Sequence, residues 1–327
     1  MKNKTCKKML MSVIFFATLT GCGNNATESE TESAKPTETA NADFDKTKNI
    51  ICYTRDTTSG TRDGFFTKIG LEKNKASNDG LVTSIVETTS NGNMIQSIKN
   101  DKFSLGYISL ASLENSGVKG LTYDNVVPSE ANVLNETYEL TRNFNYVVRN
   151  DYAADSKVKQ IVDAFIAYST TIEGKSIIKQ NDGIIALSNT DKSWKDIKAN
   201  YPITLEDNSK ATVRIGGSTS CEKITKALTS AFSPLCGNFI ASHNHTGSGD
   251  AYKHTQGKNK DEANGLDIGY LSRELEENEP AATGTHGKIC TDAIVAVVNE
   301  ANPLTSTTKE ILKAVYTGEK KTWKELF

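Results

Sequence analysis

A cluster of hydroxyl, guanidinium and glycine residues follows the first strand-like run of the sequence. The stretch TRDTTSGTRDGFF, from Thr54 to Phe66, comes directly after the β-type run NIICY and continues into an apolar, helix-like segment. Backbone N–H groups at a helix start have no partner within the helix, and together with hydroxyls and a guanidinium they can bind an anion. Serine and threonine are also ordinary capping residues at such positions. The stretch alone is therefore compatible with an anion site and with a simple helix cap.

A second turn of the same kind occurs later in the chain. The run ATVRIGGSTS predicts a strand that enters a turn of glycine, serine and threonine, and CEKITKALTSAF predicts the helix that follows. Two strand-to-helix turns of this composition in one chain are harder to attribute to capping alone.

The elements that must position these turns follow an α/β pattern. Short β-rich runs alternate with longer helical patterns from residue 48 onward, and the segment 155–179 predicts two helices with an apolar core-facing stripe. With 327 residues, 37% of them hydrophobic, the chain can bury a sizeable core in two lobes or domains. The net charge of −2 provides no broad basic face, so nucleic acid is not an expected partner.

The N-terminus predicts a secreted lipoprotein. A basic start, MKNKTCKK, precedes the apolar stretch MLMSVIFFATLT, which is too short to span a bilayer stably. It ends in LTGC, which resembles the lipobox of bacterial lipoproteins and implies a lipid-modified Cys22, while a chance cysteine beside an ordinary cleavage site is the alternative. We expect a signal peptide at 1–21 and palmitate-type acyl chains that anchor the protein on the outer face of the cytoplasmic membrane. The polar, acidic segment 22–47 is expected to be a flexible tether.

Cysteines and histidines leave two questions open. Outside the membrane, Cys52, Cys221, Cys236 and Cys290 can pair as disulfides or remain buried free thiols. Three of the four histidines, His243, His245 and His254, lie in one region, where a His-x-His pair can bind zinc if another ligand joins it, or can simply face solvent. No CxxC spacing is present, and neither a metal nor another cofactor is expected.

Several motifs together resemble one known family. RIGGSTS, TGSGDA, LDIGYLSREL and TDAIVAVVNEANPLTSTTKEILKAVYTGEKKTWKEL, in this order, resemble the first half of the phosphate-binding protein of the phosphate-specific ABC importer. TRDTTSGTRDGFF, SLGYISLASL, YELTRNFNYVV and EGKSIIKQNDGIIAL resemble its second half, so the resemblance covers nearly everything from Asn49 onward. The halves stand in the reverse of the family's usual order. The chain is therefore expected to be circularly permuted, a change that is tolerated where chain ends lie close together.

The resemblance implies a two-lobed periplasmic-binding-protein fold of type II, with a ligand cleft between α/β lobes. One lobe, lobe A, is expected to combine 48–143 with 295–327, and the other, lobe B, to comprise 144–294. The runs NYVVRN and AIVAVVN are then the two hinge strands, although their apolar character suits any central strand.

The resemblance also implies which residues bind phosphate, by their positions in the motifs. Phosphate carries oxygens on all sides and is bound by N–H and O–H donors together with a guanidinium fork. In lobe A, the turn in TRDTTSGTRDGFF supplies the guanidinium, hydroxyls and N–H groups. In lobe B, the GSTS and TGSG turns supply further hydroxyls. Arg62 is expected either to brace the turn or to act as a charge that does not touch the ligand. The expected ligand-binding residues are Arg55, Ser59, Gly60, Thr61, Thr219, Ser220, Ser248, Ser272 and Arg273.

One of these positions departs from the family. Where well-studied members have an aspartate that accepts the proton of protonated phosphate, this chain has Arg273. The arginine would favour the dianion, or it faces a neighbouring carboxylate such as Glu274 or Glu277. If a proton acceptor exists, Asp56 and Asp250 are the candidates.

The function implied by the resemblance is capture, not catalysis. We expect a non-enzymatic lipoprotein that captures inorganic phosphate and delivers it to the permease subunits of an ABC importer in a Gram-positive-type bacterium. The sequence contains no GxSxG, HExxH, Walker-type or dinucleotide-binding motif. The alternatives are a binder or sensor of another oxyanion or of a phosphorylated small molecule, and a metal-dependent surface hydrolase that uses the histidines.

Overall fold

The computed structural model describes residues 44–327, which lie within the unit 41–327 of the chain. The predicted signal peptide, Cys22 and the tether up to residue 43 lie outside the described residues. None of the helices in the described part is long and apolar enough to cross a membrane.

The strands pair segments that are far apart in the sequence. They are β1 (Ile51–Arg55), β2 (Val86–Thr88), β3 (Ser104–Ser109), β4 (Val118–Gly120), β5 (Thr122–Tyr123), β6 (Thr141–Val148), β7 (Thr212–Gly217), β8 (Ile240–Asn244), β9 (Ile268–Leu271), β10 (His286–Asn299) and β11 (Ser306–Thr307).

Helices alternate with these strands, as the sequence predicts. They are α1 (Gly60–Lys68), α2 (Asn91–Asn100), α3 (Glu130–Leu134), α4 (Lys157–Ser169), α5 (Ile172–Gln180), α6 (Trp194–Ile197), α7 (Glu222–Phe232), α8 (Ser248–Thr255) and α9 (Lys309–Tyr316). The predicted α/β class is confirmed.

One sheet connects the two ends of the molecule, with its strands in the order β2-β1-β3-β10-β6-β9-β7-β8 and β4 paired beside β10. The outer strands pair in parallel on both sides, β2-β1-β3 on one and β9-β7-β8 on the other. The long strand β10 pairs antiparallel with β6 through its first half and with β3 through its second half. This strand therefore joins the two parallel parts.

Two large hydrophobic clusters lie against the two parts of the sheet. The first is rich in aromatic rings, with Phe65 stacked on Tyr107 at a centroid distance of 3.9 Å. The second is centred on Phe232 and the helices around it. Strand β10 contributes Ile294 to the first cluster and Cys290 to the second. The predicted lobe boundaries fall inside β6 and β10, near this change of cluster, and remain a prediction.

The ends of the described chain lie side by side. Asn49 pairs with Thr322 in an antiparallel bridge, and the N–H of Ile50 donates to the carbonyl of Lys321 at 2.8 Å. This adjacency is the geometry that a circular permutation requires. The permuted order itself remains a prediction.

The N-terminal boundary of the folded chain lies earlier than we expected. Phe44 is buried against Phe103 and Trp323, with ring centroids 5.2 and 5.6 Å away. A single aromatic ring at the end of a polar segment thus gains enough apolar contact to order its neighbours. Residues 44–47, which we assigned to the tether, belong to the folded structure.

The disulfide alternative is not realised among the described residues. All four cysteines in this range are free and buried, namely Cys52, Cys221, Cys236 and Cys290. Burial raises the pKa of the Cys52 thiol to about 12, which keeps it protonated and unreactive at neutral pH.

Candidate anion site

The first predicted turn combines capping with a cluster of donors. Ser59 is the N-cap of α1, and its Oγ accepts the backbone N–H groups of Thr61 at 3.2 Å and Arg62 at 3.4 Å. Arg55 stands at the end of β1, and its side chain is only 1% exposed. The strand end and the helix start therefore hold a guanidinium beside the first turn of α1.

Arg55 makes contacts from both sides of the site. Its Nη2 donates to the Thr89 carbonyl at 3.0 Å and to Thr219 Oγ1 at 3.3 Å, while Nη1 donates to Asn91 Oδ1 at 3.4 Å. Its buried Nε has no hydrogen-bond partner among residues 44–327. Burial lowers the pKa of Arg55 to about 10, so the group is still cationic at neutral pH. A buried cation with an unused donor favours an anionic ligand.

The second turn and two neighbouring segments supply opposing hydroxyls. Ser272 Oγ lies 2.9 Å from Ser218 Oγ and 3.1 Å from Ser248 Oγ, and the Ser272 N–H donates to Ser248 Oγ. Ser220 Oγ lies 3.1 Å from Thr61 Oγ1 across the site. We call the following side chains the hydroxyl cluster: Thr61, Ser218, Thr219, Ser220, Ser248 and Ser272.

Gly60 allows α1 to approach this cluster closely. A Cβ atom at this position would lie 2.5 Å from Ser248 Oγ and 2.7 Å from Ser272 Oγ, so any side chain here would force these hydroxyls to move. The backbone also connects the two sides, because the Gly249 N–H donates to the Thr58 carbonyl at 3.0 Å. The first turn of α1 thus faces the hydroxyls of the opposite part directly.

The structure brings most of the sequence-predicted residues together, but it places Arg273 apart. The guanidinium of Arg273 donates to both carboxylate oxygens of Glu279 at 2.7 and 2.8 Å. The side chain that pairs with it is therefore Glu279, and not Glu274 or Glu277, the two carboxylates that the sequence suggested. Arg273 and Ser59 both line an open groove of about 810 Å³ beside the hydroxyl cluster. This arginine lies at the rim of the site.

The two candidate proton acceptors differ in position. Asp56 lies 3.7 Å from Arg55 Nη2 and accepts hydrogen bonds from the Thr58 N–H and hydroxyl. Asp250 accepts from Thr246 Oγ1 at 2.5 Å and lies 3.6 Å from His254 Nε2. Only Asp56 contacts a residue of the anion site.

Three buried residues of the site were missed from the sequence. Asn91 donates from Nδ2 to Ser220 Oγ at 3.0 Å, and Arg142 donates from Nη2 to the same oxygen at 3.1 Å. Asp292 accepts two hydrogen bonds from Arg142. The sequence does carry one signal that points to Arg142 and Asp292. Each is a charged residue within a β-type run, Arg142 in β6 and Asp292 in β10.

Arg62 acts as a brace. Its completely buried side chain donates to the carbonyls of Arg55, Asn74 and Ser77, each at 2.8 Å. These bonds tie the loop after α1 to the end of β1 and thereby support Arg55. This is one of the two roles that we expected for it.

Within residues 44–327, no group of three or more side chains that could hold a metal ion is found, at the histidines or elsewhere. His243 Nδ1 lies 3.2 Å from His245 Nε2, and His254 lies on α8 beside Asp250. Burial, reinforced by His245, lowers the pKa of His243 to about 4. The pair is therefore neutral near pH 7.

Comparison with known proteins agrees with the fold. Residues 203–327 match the family model of the PBP superfamily domain. Phosphate-binding protein PstS 2 of Streptococcus agalactiae is 28% identical over 283 residues, which cover 86% of this chain and 88% of that protein. PstS 2 of Streptococcus pneumoniae is 27% identical over 311 residues, or 94% of each chain. The crystal structure of a phosphate-binding protein of a phosphate ABC transporter from S. pneumoniae TIGR4 covers 85% of this chain and 100% of its own, with 25% identity and a TM-score of 0.60.

The sheet with its two clusters and the buried donors between them have the mixed α/β fold of a phosphate-binding protein structure, and the C-terminal residues 203–327 match the model of the PBP superfamily domain. Within that superfamily, the predicted resemblance to the phosphate-binding proteins of ABC importers is confirmed. The positions of the individual ligand-binding residues remain predictions.

Proposed function

We propose that this chain captures inorganic phosphate and delivers it to an ABC importer. The observation that carries the proposal is Arg55, a buried guanidinium whose Nε has no hydrogen-bond partner among the described residues, aimed into a site built from hydroxyls. Similarity over 86–94% of the chain to proteins named phosphate-binding proteins supports the same ligand.

The donors of the site suit a tetrahedral oxyanion. Guanidinium N–H groups, serine and threonine hydroxyls and the N–H groups at the start of α1 converge from both parts of the sheet. The four oxygens of a tetrahedral oxyanion can accept hydrogen bonds from several of these donors at once. A planar or monoatomic anion could accept fewer of them. Because the site is buried, each contact is less screened by water than it would be on the surface.

The proposed role is transport, and no catalytic step is assigned. The relatives named above are binding proteins. The hydroxyls of Ser218, Ser220, Ser248 and Ser272 contact one another, Thr61, Asn91 or Arg142, and within residues 44–327 no histidine is among their hydrogen-bond partners. A nucleophilic serine would require such a base. Binding and release to permease subunits is the activity that this arrangement supports.

The proposed location is the outer face of the cytoplasmic membrane. A substrate-binding protein of an ABC importer works outside the cytoplasm, and the LTGC sequence provides the cysteine for a lipid anchor. Acyl chains on Cys22 would keep the binding domain near its permease.

A thermal-unfolding series with added ligands tests the proposed ligand. A chain starting after Cys22 is dialysed exhaustively and heated with phosphate, sulfate, molybdate or zinc chloride. A ligand present at 100 times its Kd adds about 2.7 kcal/mol to the free energy of unfolding, so phosphate should raise Tm by several degrees. No shift with phosphate, or an equal shift with sulfate, would contradict the proposal. The same series is run with Arg55→Gln, which changes the site. Arg149→Gln is the matched control, because Arg149 pairs with Asp151 and Asp261 outside the site.

A further inference from the structure

A buried ion pair lies directly behind the hydroxyl cluster. The side chains of Arg142 and Asp292 are 4% and 0% exposed, and Arg142 donates from Nε at 3.0 Å and from Nη2 at 2.8 Å to Asp292 Oδ2. Ser109 Oγ lies 2.9 Å from each oxygen of the same carboxylate. Removing two charges from water is costly, so stability alone is a weak reason for such a pair.

The pair is fixed by the centre of the sheet. Arg142 on β6 and Asp292 on β10 are direct partners in the antiparallel register, and Ser109 ends β3, the strand on the other side of β10. The ring of Phe144 packs 5.4 Å from the guanidinium carbon of Arg142. Three adjacent strands therefore hold this guanidinium in one orientation, with no flexible loop involved.

One donor of Arg142 reaches the hydroxyl cluster, and another is left without a partner. Its Nη2 also donates to Ser220 Oγ, the oxygen that lies within 3.1 Å of both Thr61 Oγ1 and Asn91 Nδ2. Its Nη1 is buried and has no hydrogen-bond partner among residues 44–327. An unpaired donor on a buried cation carries its full desolvation cost unless a ligand accepts from it.

We propose that Arg142 binds phosphate directly as a second guanidinium of the site and that Asp292 is the residue that positions it. This inference rests on the proposed function and adds a specificity-determining residue to it. The carboxylate engages Nε and Nη2, and thereby leaves Nη1 directed to the ligand. It also offsets one positive charge, so that Arg55 and Arg142 can face the same ligand without strong mutual repulsion.

Isothermal titration of phosphate into four proteins tests this proposal. Wild type is compared with Arg142→Gln, Asp292→Asn and the double variant Arg142→Gln/Asp292→Asn, and circular dichroism checks the fold of each. Arg142→Gln should weaken binding at least about 30-fold, as expected for the loss of charge-assisted hydrogen bonds to a buried ligand. The double variant should lose as much, and it removes the risk that an uncompensated Asp292 carboxylate unfolds the protein.

The thermodynamic cycle separates positioning from a general structural role. If Asp292 acts through Arg142, Asp292→Asn weakens phosphate binding in wild type but has no further effect on Kd in the Arg142→Gln background. A purely structural Asp292 would lower Tm in both backgrounds and change Kd equally in both. That result would overturn its positioning role.

The outcomes also distinguish this inference from the proposed function. If wild type binds no phosphate, the proposed function fails first. If wild type binds and the folded double variant binds within threefold of it, the function stands and the second guanidinium is wrong. A crystal structure of the wild-type phosphate complex gives an independent check, with Arg142 Nη1 expected within hydrogen-bond distance of a phosphate oxygen and a separation above 4 Å contradicting the proposal.

Discussion

The hydroxyl oxygens of Thr61 and Ser220 lie 3.1 Å apart, although 159 residues separate them in the chain. Thr61 lies in the first turn of α1, which follows β1, and Ser220 lies in the turn between β7 and α7. The two turns that stand out in the sequence therefore meet at one place. The hydroxyls of these turns and the N–H groups at the helix starts are the donors that a bound anion would use.

Gly60 sets how closely the two turns can approach. We expect Gly60→Ala to weaken phosphate binding by at least tenfold, because the new methyl group would displace the hydroxyls of Ser248 and Ser272. Titration calorimetry measures the loss. Gly92→Ala in α2 is the matched control, since its nearest neighbour would be Ser90 Oγ at 3.7 Å. Equal affinities in the two variants would refute the close approach of α1.

Arg273 should contribute little to affinity although the family resemblance places it in the site. Its guanidinium is engaged by Glu279, so Arg273→Gln is expected to leave the Kd for phosphate within about threefold of wild type. The same titration of Arg55→Gln should show a loss of at least a hundredfold. If Arg273→Gln weakens phosphate binding tenfold or more, Arg273 contributes to ligand binding and this prediction is wrong.

His243 should make the stability of the protein sensitive to acid. Its folded-state pKa is lowered to about 4, chiefly by burial, whereas an unfolded histidine titrates near 6.5. The unfolded chain therefore takes up the proton first, and the free energy of unfolding decreases as the pH falls from about 6.5 toward 4. The contribution of neutral His243 to the free energy of unfolding is fully present above about pH 6.5.

Urea unfolding across that pH range, compared with His243→Gln, measures the effect. The variant should lose less stability than wild type on acidification. Parallel pH profiles for the two proteins would show that His243 does not titrate in this way.

Cys22 provides a test of the proposed membrane anchor. We expect Cys22→Ala to shift the protein from the membrane fraction to the medium, because lipid attachment supplies the hydrophobic contact with the bilayer. Fractionation with metabolic labelling by a fatty acid measures both properties. Cys52→Ala, at a buried free thiol, is the control and should stay in the membrane fraction. Retention of unlabelled Cys22→Ala in the membrane would contradict the anchor.

Local patterns were sufficient for the parts of the site that are contiguous in sequence. Arg55, Ser59 and Thr61 lie in one turn, and the strand and helix on either side of it have ordinary signals. The same holds for the turn after β7. The α/β alternation likewise needs only hydrophobic periodicity and loop composition.

Long-range pairing could not be inferred from one sequence. Arg142 and Asp292 are 150 residues apart and meet only because β6 and β10 are neighbours in the sheet. Asn91 is the first residue of α2 and contacts Ser220, 129 residues away in the chain. Phe44 followed a segment of disordered composition and still packs on Trp323. Each of these positions is decided by tertiary contacts that no local pattern records.

Isothermal titration of phosphate and of sulfate into the dialysed wild-type protein measures whether the site binds phosphate selectively. We expect one phosphate to bind tightly per chain and sulfate to bind at least a hundredfold more weakly. We expect Arg55→Gln to bind neither anion. Absence of phosphate binding by the folded wild-type protein, or equal affinity for the two anions, would contradict this expectation.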